Sequence, residues 1–485
     1  MAQQQNIKKN YIYNTIYRIF TIITPLITTP YVARIFGAEI IGIQSYVGAI
    51  LSYFTMFAAL GTYTYGQREI AMCRDDRESA SKKFWEIETL SVITTSICLV
   101  VWIGLIFFVE EYKLYYIILT MNLIGVGFDI SWFFGGYENF RLITIRNIII
   151  KAIGIIILFT LVHSKDDIFL YLGLTAASGL IGNISLWFSL PRYLVKVKLK
   201  TFHLKEHFKQ TLIYFIPTVA TSIYLVLDKV MIGMITNEPK ENGYYEETSK
   251  ITKMMLTIIT SLNFVMSARM AYLYATDRVE ELKDRLKKSM NFVMLLSIPM
   301  VLGIIGIAKN FVPWFFGPGF EKVTYLLYIY SPLIIIIGIS NCAEEQYLTP
   351  SGQRKRSAKS VIVGAIVNFC CNLILIPFLK SVGAAMASII GEIVVTVMCV
   401  YMSEEYMTWR IIFKYIWKRA IAGVAMLLAV FVIGFLPLNR ILITGVQVGI
   451  GAIVYFGLLI LMKDELAREY TIYNLSKVKK IVIKK

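Results

Sequence analysis

The sequence predicts an all-α integral membrane protein with about fourteen transmembrane helices, on three observations. Apolar runs near 20 residues long recur along the chain, separated by short polar connectors. The composition is 57% hydrophobic and only 17% charged, with a mean hydropathy of +0.63. The runs are continuous and do not alternate, which excludes a transmembrane β-barrel.

In order, the expected spans are 11–33, 41–65, 87–109, 114–136, 143–162, 167–190, 210–235, 250–272, 290–310, 322–349, 357–378, 382–402, 415–437 and 439–462. The connectors test this count. If the N-terminus is cytoplasmic, every second connector is too, and those segments hold 35 of the 49 Lys and Arg residues. The opposite connectors are short and carry about one basic residue each, such as Lys113, Lys165 and Arg440. The longest of them lies near Asn237 to Ser249. A miscounted span would put the alternation out of phase, yet it holds to the end, so both termini are expected inside. The same asymmetry accounts for the net charge of +17 without nucleic acid. The basic tail KVKKIVIKK, from Lys477, reads as an anchor on anionic lipid. Lys8 and Lys9 precede an apolar run too long for a cleaved signal, so the first span is read as retained.

A repeat is also visible. REIAMCRDDRESASKKFW, from Arg68, and ATDRVEELKDRLKKSMNF, from Ala275, are charged helix-forming connectors with paired lysines before an apolar run. GLTAASGLIG, from Gly173, resembles GAAMASIIGE, from Gly383. The offsets of 205 and 210 residues imply two six-span lobes. The expected division is residues 1–200 for the N-terminal lobe, 201–409 for the C-terminal lobe, and 410–485 for two extra spans and the tail.

Charge at membrane depth costs roughly 2.5–3.5 kcal/mol per residue and marks function by default. Arg18 lies well inside the first span, upstream of Pro25 and Pro30. Asp129 sits beside Gly125 and Gly127; Arg146 and Lys151 open the fifth span. Asp228 and Lys229 stand together in the seventh, after Pro217. Lys250, Lys253 and Arg269 are in the eighth, Glu344 and Glu345 in the tenth, and Glu392 in the twelfth. Structural roles compete with functional ones. Arg146, Lys250 and Arg269 are near enough to span ends to snorkel, Asp228–Lys229 could be a structural pair, and Asp129 could bond a neighbouring helix. Together these groups point to a hydrated cavity in which cations outnumber acids, suited to a phosphate-bearing substrate.

Catalytic and metal constellations are not expected. The histidines, His163, His203 and His207, lie in connectors, and no HExxH, CxxC or Walker A pattern occurs. The six cysteines read as free structural thiols. FVPWFFGPGF, from Phe311, reads first as an interfacial aromatic belt and loop.

Several stretches carry the motifs of one membrane-protein family. TPLITTPYVARIFGAEIIGIQSY, from Thr24, carries Pro30, Tyr31, Arg34, Gly37 and Gly42. LGTYTYGQREIA, from Leu60, resembles the end of that family's second span. SWFFGGYENFR, from Ser131, resembles the end of its fourth, with Gly135 where Gln is usual. LDKVMIG, from Leu227, matches an Asp…Gly pattern of the seventh span. NCAEEQYLTPSGQRK, from Asn341, and NFCCNLILIPFLKSVGAAMASIIGE, from Asn368, are the most specific, with Gln346, Tyr347, Gly352, Asn368, Asn372, Pro377, Gly383 and Glu392. SARMAYLYA, from Ser267, departs: Ala268 precedes Arg269 where the family more often has Pro, which bears on a local helix bend.

Together these stretches resemble Wzx-type oligosaccharidyl-lipid flippases of the multidrug/oligosaccharidyl-lipid/polysaccharide exporter superfamily, and the resemblance implies the fold of the multidrug-and-toxin exporters, working by alternating access. It also implies a substrate: an oligosaccharide repeat unit on undecaprenyl pyrophosphate, moved from the inner to the outer leaflet for capsule, exopolysaccharide or O-antigen-type polymers. On that reading the substrate-binding set is Arg18, Arg34, Asp129, Arg146, Lys151, Lys253 and Arg269. The ion-coupling or gating set is Asp228, Lys229, Glu344, Glu345 and Glu392, with H+ or Na+ as the coupling ion and no other cofactor. Expected partners are the lipid-linked oligosaccharide, membrane lipids and a polysaccharide polymerase, with no nucleic acid. The rival readings are a lipid II or teichoic acid precursor flippase, an ion-coupled drug exporter, and a membrane polymerase or ligase. The short outer connectors argue against an enzyme.

Overall fold

A computed structural model describes residues 7–197 and 203–468. Within them every regular element is helical. That follows from the solvent: in hydrocarbon each backbone N–H and C=O must be satisfied inside its own segment. The helices are α1 (Ile7–Ala59), α2 (Thr62–Cys73), α3 (Arg77–Phe108), α4 (Lys113–Val126), α5 (Ser131–Gly136), α6 (Phe140–Leu161), α7 (Ile168–Trp187), α8 (Leu204–Thr236) and α9 (Pro239–Ala275). There follow α10 (Val279–Phe315), α11 (Glu321–Tyr330), α12 (Leu333–Ala343), α13 (Arg354–Leu379), α14 (Ser381–Met402), α15 (Trp409–Lys414), α16 (Trp417–Ile433) and α17 (Arg440–Leu461).

Among the described residues, ten helical segments are long and apolar enough to cross a membrane. The first two expected spans fall in one such segment, because α1 continues through a single non-helical residue, Gly37 (φ 72°, ψ 173°). The ten do not include α8, α9 or α16. Side chains of α8 and α9 lie partly outside the described residues, and α16 is 17 residues long. α6 shows what faces lipid: of its 22 residues only Thr144 and Leu158 are buried.

Three expectations change. The fourth span is broken at Gly127–Ile130 into α4 and α5, and the tenth at Ser331–Pro332, followed by a π-helical turn over Glu344–Leu348. Mean hydropathy over a window does not register such breaks. The expected outer connector from Asn237 to Ser249 is helix from Pro239 onward, with Glu241, Asn242, Glu247, Thr248 and Ser249 buried. Pro239 suits a first helical position, and Lys250 pairs with Glu247 (2.8 Å) and Glu246 (3.6 Å) along the helix.

The chain divides into two compact units. One comprises Met1–Met234 with Glu238–Gly243. Its helices pack as α1 on α3, α4 and α6, with α4 on α7 and α2 on α3 and α5. An aromatic cluster of Phe84, Trp132, Phe133 and Phe134 closes it, joined by Trp187 and Tyr193. The other comprises Ile235–Asn237 with Tyr244–Lys485. There α13 lies along α14, and α16 and α17 pack on each other and on α10. Arg419, fully buried, donates to the Asn291 carbonyl and side chain and to both Asp464 oxygens at 3.3 Å.

Candidate functional site

In the first unit, α8 carries Asp228 to a buried position, 4% exposed. The carboxylate acts on the Tyr53 phenol of α1. Lys229, beside it, is half-buried, and its carbonyl accepts from the Asn242 side chain at 2.8 Å. One turn on, Gly233 lies against the Tyr46 ring, where a Cβ would come within 2.2 Å. The predicted acid–base pair is therefore enclosed against the second half of α1. The side chains of Arg18 and Pro217 lie outside the described residues. Arg34 is exposed on α1, three residues before the break at Gly37.

Asp129 sits in the α4–α5 break, where one oxygen accepts from the Ser131 N–H at 3.0 Å. Arg146, on α6, is half-buried. It donates to the Gly182 carbonyl (3.1 Å) and to Asn147 (2.6 Å), with Asn183 at 3.4 Å. These bonds tie α6 to α7. Asp129 and Arg146 both act on Tyr63 of α2, which places the acid and the base of the predicted set in one neighbourhood. Lys151, one turn along α6, is half-buried.

In the second unit the predicted cations are largely engaged. Arg269 donates to Glu281 at 2.7 Å and lies 5.2 Å over the Tyr272 ring; Arg278 and Arg285 share the same carboxylate. Lys250 is neutralised by Glu246 and Glu247. Lys253 is exposed on α9. Glu344 opens the π-helical turn and accepts from the Ser357 hydroxyl, whereas Glu345 is exposed. The turn projects Tyr347 onto Tyr406, with ring centroids 4.3 Å apart. Single π-turns inside helices often mark functional positions, and this one coincides with the NCAEEQYL motif. Glu392 is buried on α14. Asn372 donates to Asn368 at 3.2 Å, and both are fully buried where Gly364 and Gly391 bring α13 and α14 backbones together. A cleft of about 720 Å³ at the start of α13 and the end of α14 is lined by Arg356, Lys359, Tyr401, Glu404 and Trp409.

Sequence reasoning passed over three groups. His207, treated as a connector residue, is buried between Tyr65 (2.7 Å from Nδ1) and Glu86 (3.0 Å from Nε2). Glu69 pairs with Lys83. Glu88 is enclosed on α3. Its signal was available: WEIETLS puts two acids at the mouth of an apolar run.

A family model described as polysaccharide biosynthesis protein matches residues 7–270, more than half of the chain. The chain belongs to the polysaccharide biosynthesis protein family. Two relatives in that setting are each described as "Putative O-antigen transporter". The one from Escherichia coli (strain K12) is 24% identical over 81% of this chain and 95% of its own length. The one from Shigella dysenteriae is 23% identical over 76% and 93%. Among solved structures, "Lipid II flippase MurJ, inward closed conformation" aligns with a TM-score of 0.72 at 16% identity, covering 94% of this chain and all of that one. An inward-facing multidrug resistance MATE family transporter aligns with a TM-score of 0.58 at 14% identity, covering 86% and 98%. This family member thus has the fold of flippases and exporters. It is a multi-pass membrane transporter or flippase of polysaccharide biosynthesis rather than an enzyme.

Proposed function

We propose that the protein moves oligosaccharide repeat units linked to undecaprenyl pyrophosphate from the inner to the outer leaflet of the bacterial cell membrane, by alternating access. The observation that carries this is the match to O-antigen transporters over nearly their whole length. In this reading Arg18, Lys253 and Arg269 meet the pyrophosphate, with Arg34, Asp129, Arg146 and Lys151 on the substrate's path. The buried Asp228 and Glu392, with Lys229, Glu344 and Glu345, balance charge or couple transport to H+ or Na+. A polymerase then takes the units on the outer face, and both termini face the cytoplasm. Arg269 would exchange its Glu281 partner for phosphate oxygens, which charge-assisted geometry allows.

A lipid II flippase is the second reading, favoured by the TM-score of 0.72 to MurJ, although that likeness reaches the fold alone. Deletion of the gene decides between them. Surface polymer should be lost while undecaprenyl-linked repeat units accumulate inside. Arg18→Ala should reproduce that loss at normal protein level. Rescue of cells depleted of their lipid II flippase, with polymer unaffected by the deletion, would favour the second reading.

A further inference from the structure

Glu88 is 2% exposed, and neither carboxyl oxygen has a hydrogen-bond partner among the described residues. It is not an isolated orphan. The hydroxyls of Thr62 and Thr95 and the indole N–H of Trp132 are also buried and unpartnered. These groups share the first unit, on α2, α3 and α5. Trp132 stacks on Phe84, one turn before Glu88, at 5.6 Å, and lies against Gly66, one turn after Thr62. Thr95 lies beside Gly127, two residues before Asp129.

A bare carboxylate cannot persist there. Burying an ionised group without partners costs far more than burying a neutral one. The other charges on surrounding elements do not relieve it. Glu69 of α2 is held by Lys83, and Glu86 by His207 of α8. Arg146 of α6 acts with Asp129 on Tyr63 of α2, while Tyr65 bonds His207. The charges of α1 lie at or before Glu39, and the single charge of α4 is Lys113, its first residue. Among the described residues no group of three or more His, Cys, Asp or Glu forms a metal site.

We propose that Glu88 is a proton-binding site of the first unit, holding one proton when the pocket is closed and releasing it to water when the pocket opens. A neutral acid that ionises on opening couples proton movement to the transport cycle. The coupling role rests on the transporter reading; the proton occupancy does not.

Infrared spectroscopy of the purified full-length protein in lipid nanodiscs tests the occupancy. At neutral pH the wild type should show a protonated-carboxyl stretch that Glu88→Gln removes. Identical wild-type and E88Q spectra in that region from acid to mildly alkaline pH would overturn the site. Loss of the band on adding sodium at constant pH would replace the proton with a metal ion. In cells, E88Q at normal protein level should lower polymer export by about tenfold or more, and Glu88→Asp should restore part of it. Normal export by E88Q would refute coupling and leave the proton site standing. Failure of the wild type to move lipid-linked oligosaccharide would instead refute the flippase reading, with the spectra unaffected.

Discussion

Arg419 shows what a fully enclosed cation requires: two bonds to Asn291 and two to Asp464, from chain positions 128 and 45 residues away. Removing it strands the Asp464 carboxylate, which is 8% exposed. Arg419→Ala should cost about 3–5 kcal/mol, read as a large drop in the melting temperature of the detergent-solubilised protein. Arg419→Lys, which keeps the charge and loses the fork, should fall between. Asp76 caps α3 and is exposed. Bonds from the Ser79 hydroxyl and N–H, and then from the Glu78 N–H, hold its carboxyl below the usual aspartate range. A lowered folded value means its stabilisation is present above the ordinary aspartate pKa and disappears as pH falls through the folded one. Asp76→Ala should therefore melt lower than wild type at neutral pH, and the two curves should converge in acid. The ionisable groups that break an apolar run are legible in the sequence, but their partners are not. Arg269 reads there as a substrate ligand, and only the fold shows Glu281 already in its reach.

The second half of α1 depends on close backbone approach. A Cβ on Gly42 would lie 1.7 Å from the Pro239 carbonyl oxygen, and one on Gly243 2.0 Å from that of Ala38. The two glycines thus let α1 and the start of α9 touch, which explains Gly42 in the motif from Thr24. Gly42→Ala should cost about 1–3 kcal/mol through overpacking, whereas Gly48→Ala, with nothing within 4 Å of its new methyl, should be tolerated. Thermal unfolding monitored by size-exclusion checks both. Hydropathy located most helices well: α13, α14 and α17 begin and end within three residues of the expected spans. It missed the breaks in the fourth and tenth spans, because an apolar run reports its solvent and not its hydrogen bonds. Gly125, Gly127 and Pro332 were the available cues.

At the scale of the whole molecule, the alternation of basic connectors makes a single demand: both termini on the cytoplasmic side. A fluorescent reporter fused after Lys485 should fold and emit, and a cysteine placed next to Met1 should react with impermeant reagent only after the membrane is opened. Labelling of that cysteine in intact cells would reverse the topology. Membrane class, helix positions and family resemblance were legible in the chain by itself, since apolar run length, connector charge and short motifs are local properties that the bilayer reads directly. The tertiary structure alone decided which charges are engaged and which are idle. Tyr65 and His207 are 142 residues apart, Arg146 and Asn183 37. Glu88 has no hydrogen-bond partner at any separation among the described residues. Whether a charge inside a membrane is structural or functional depends on what reaches it, and that is set by packing between distant helices.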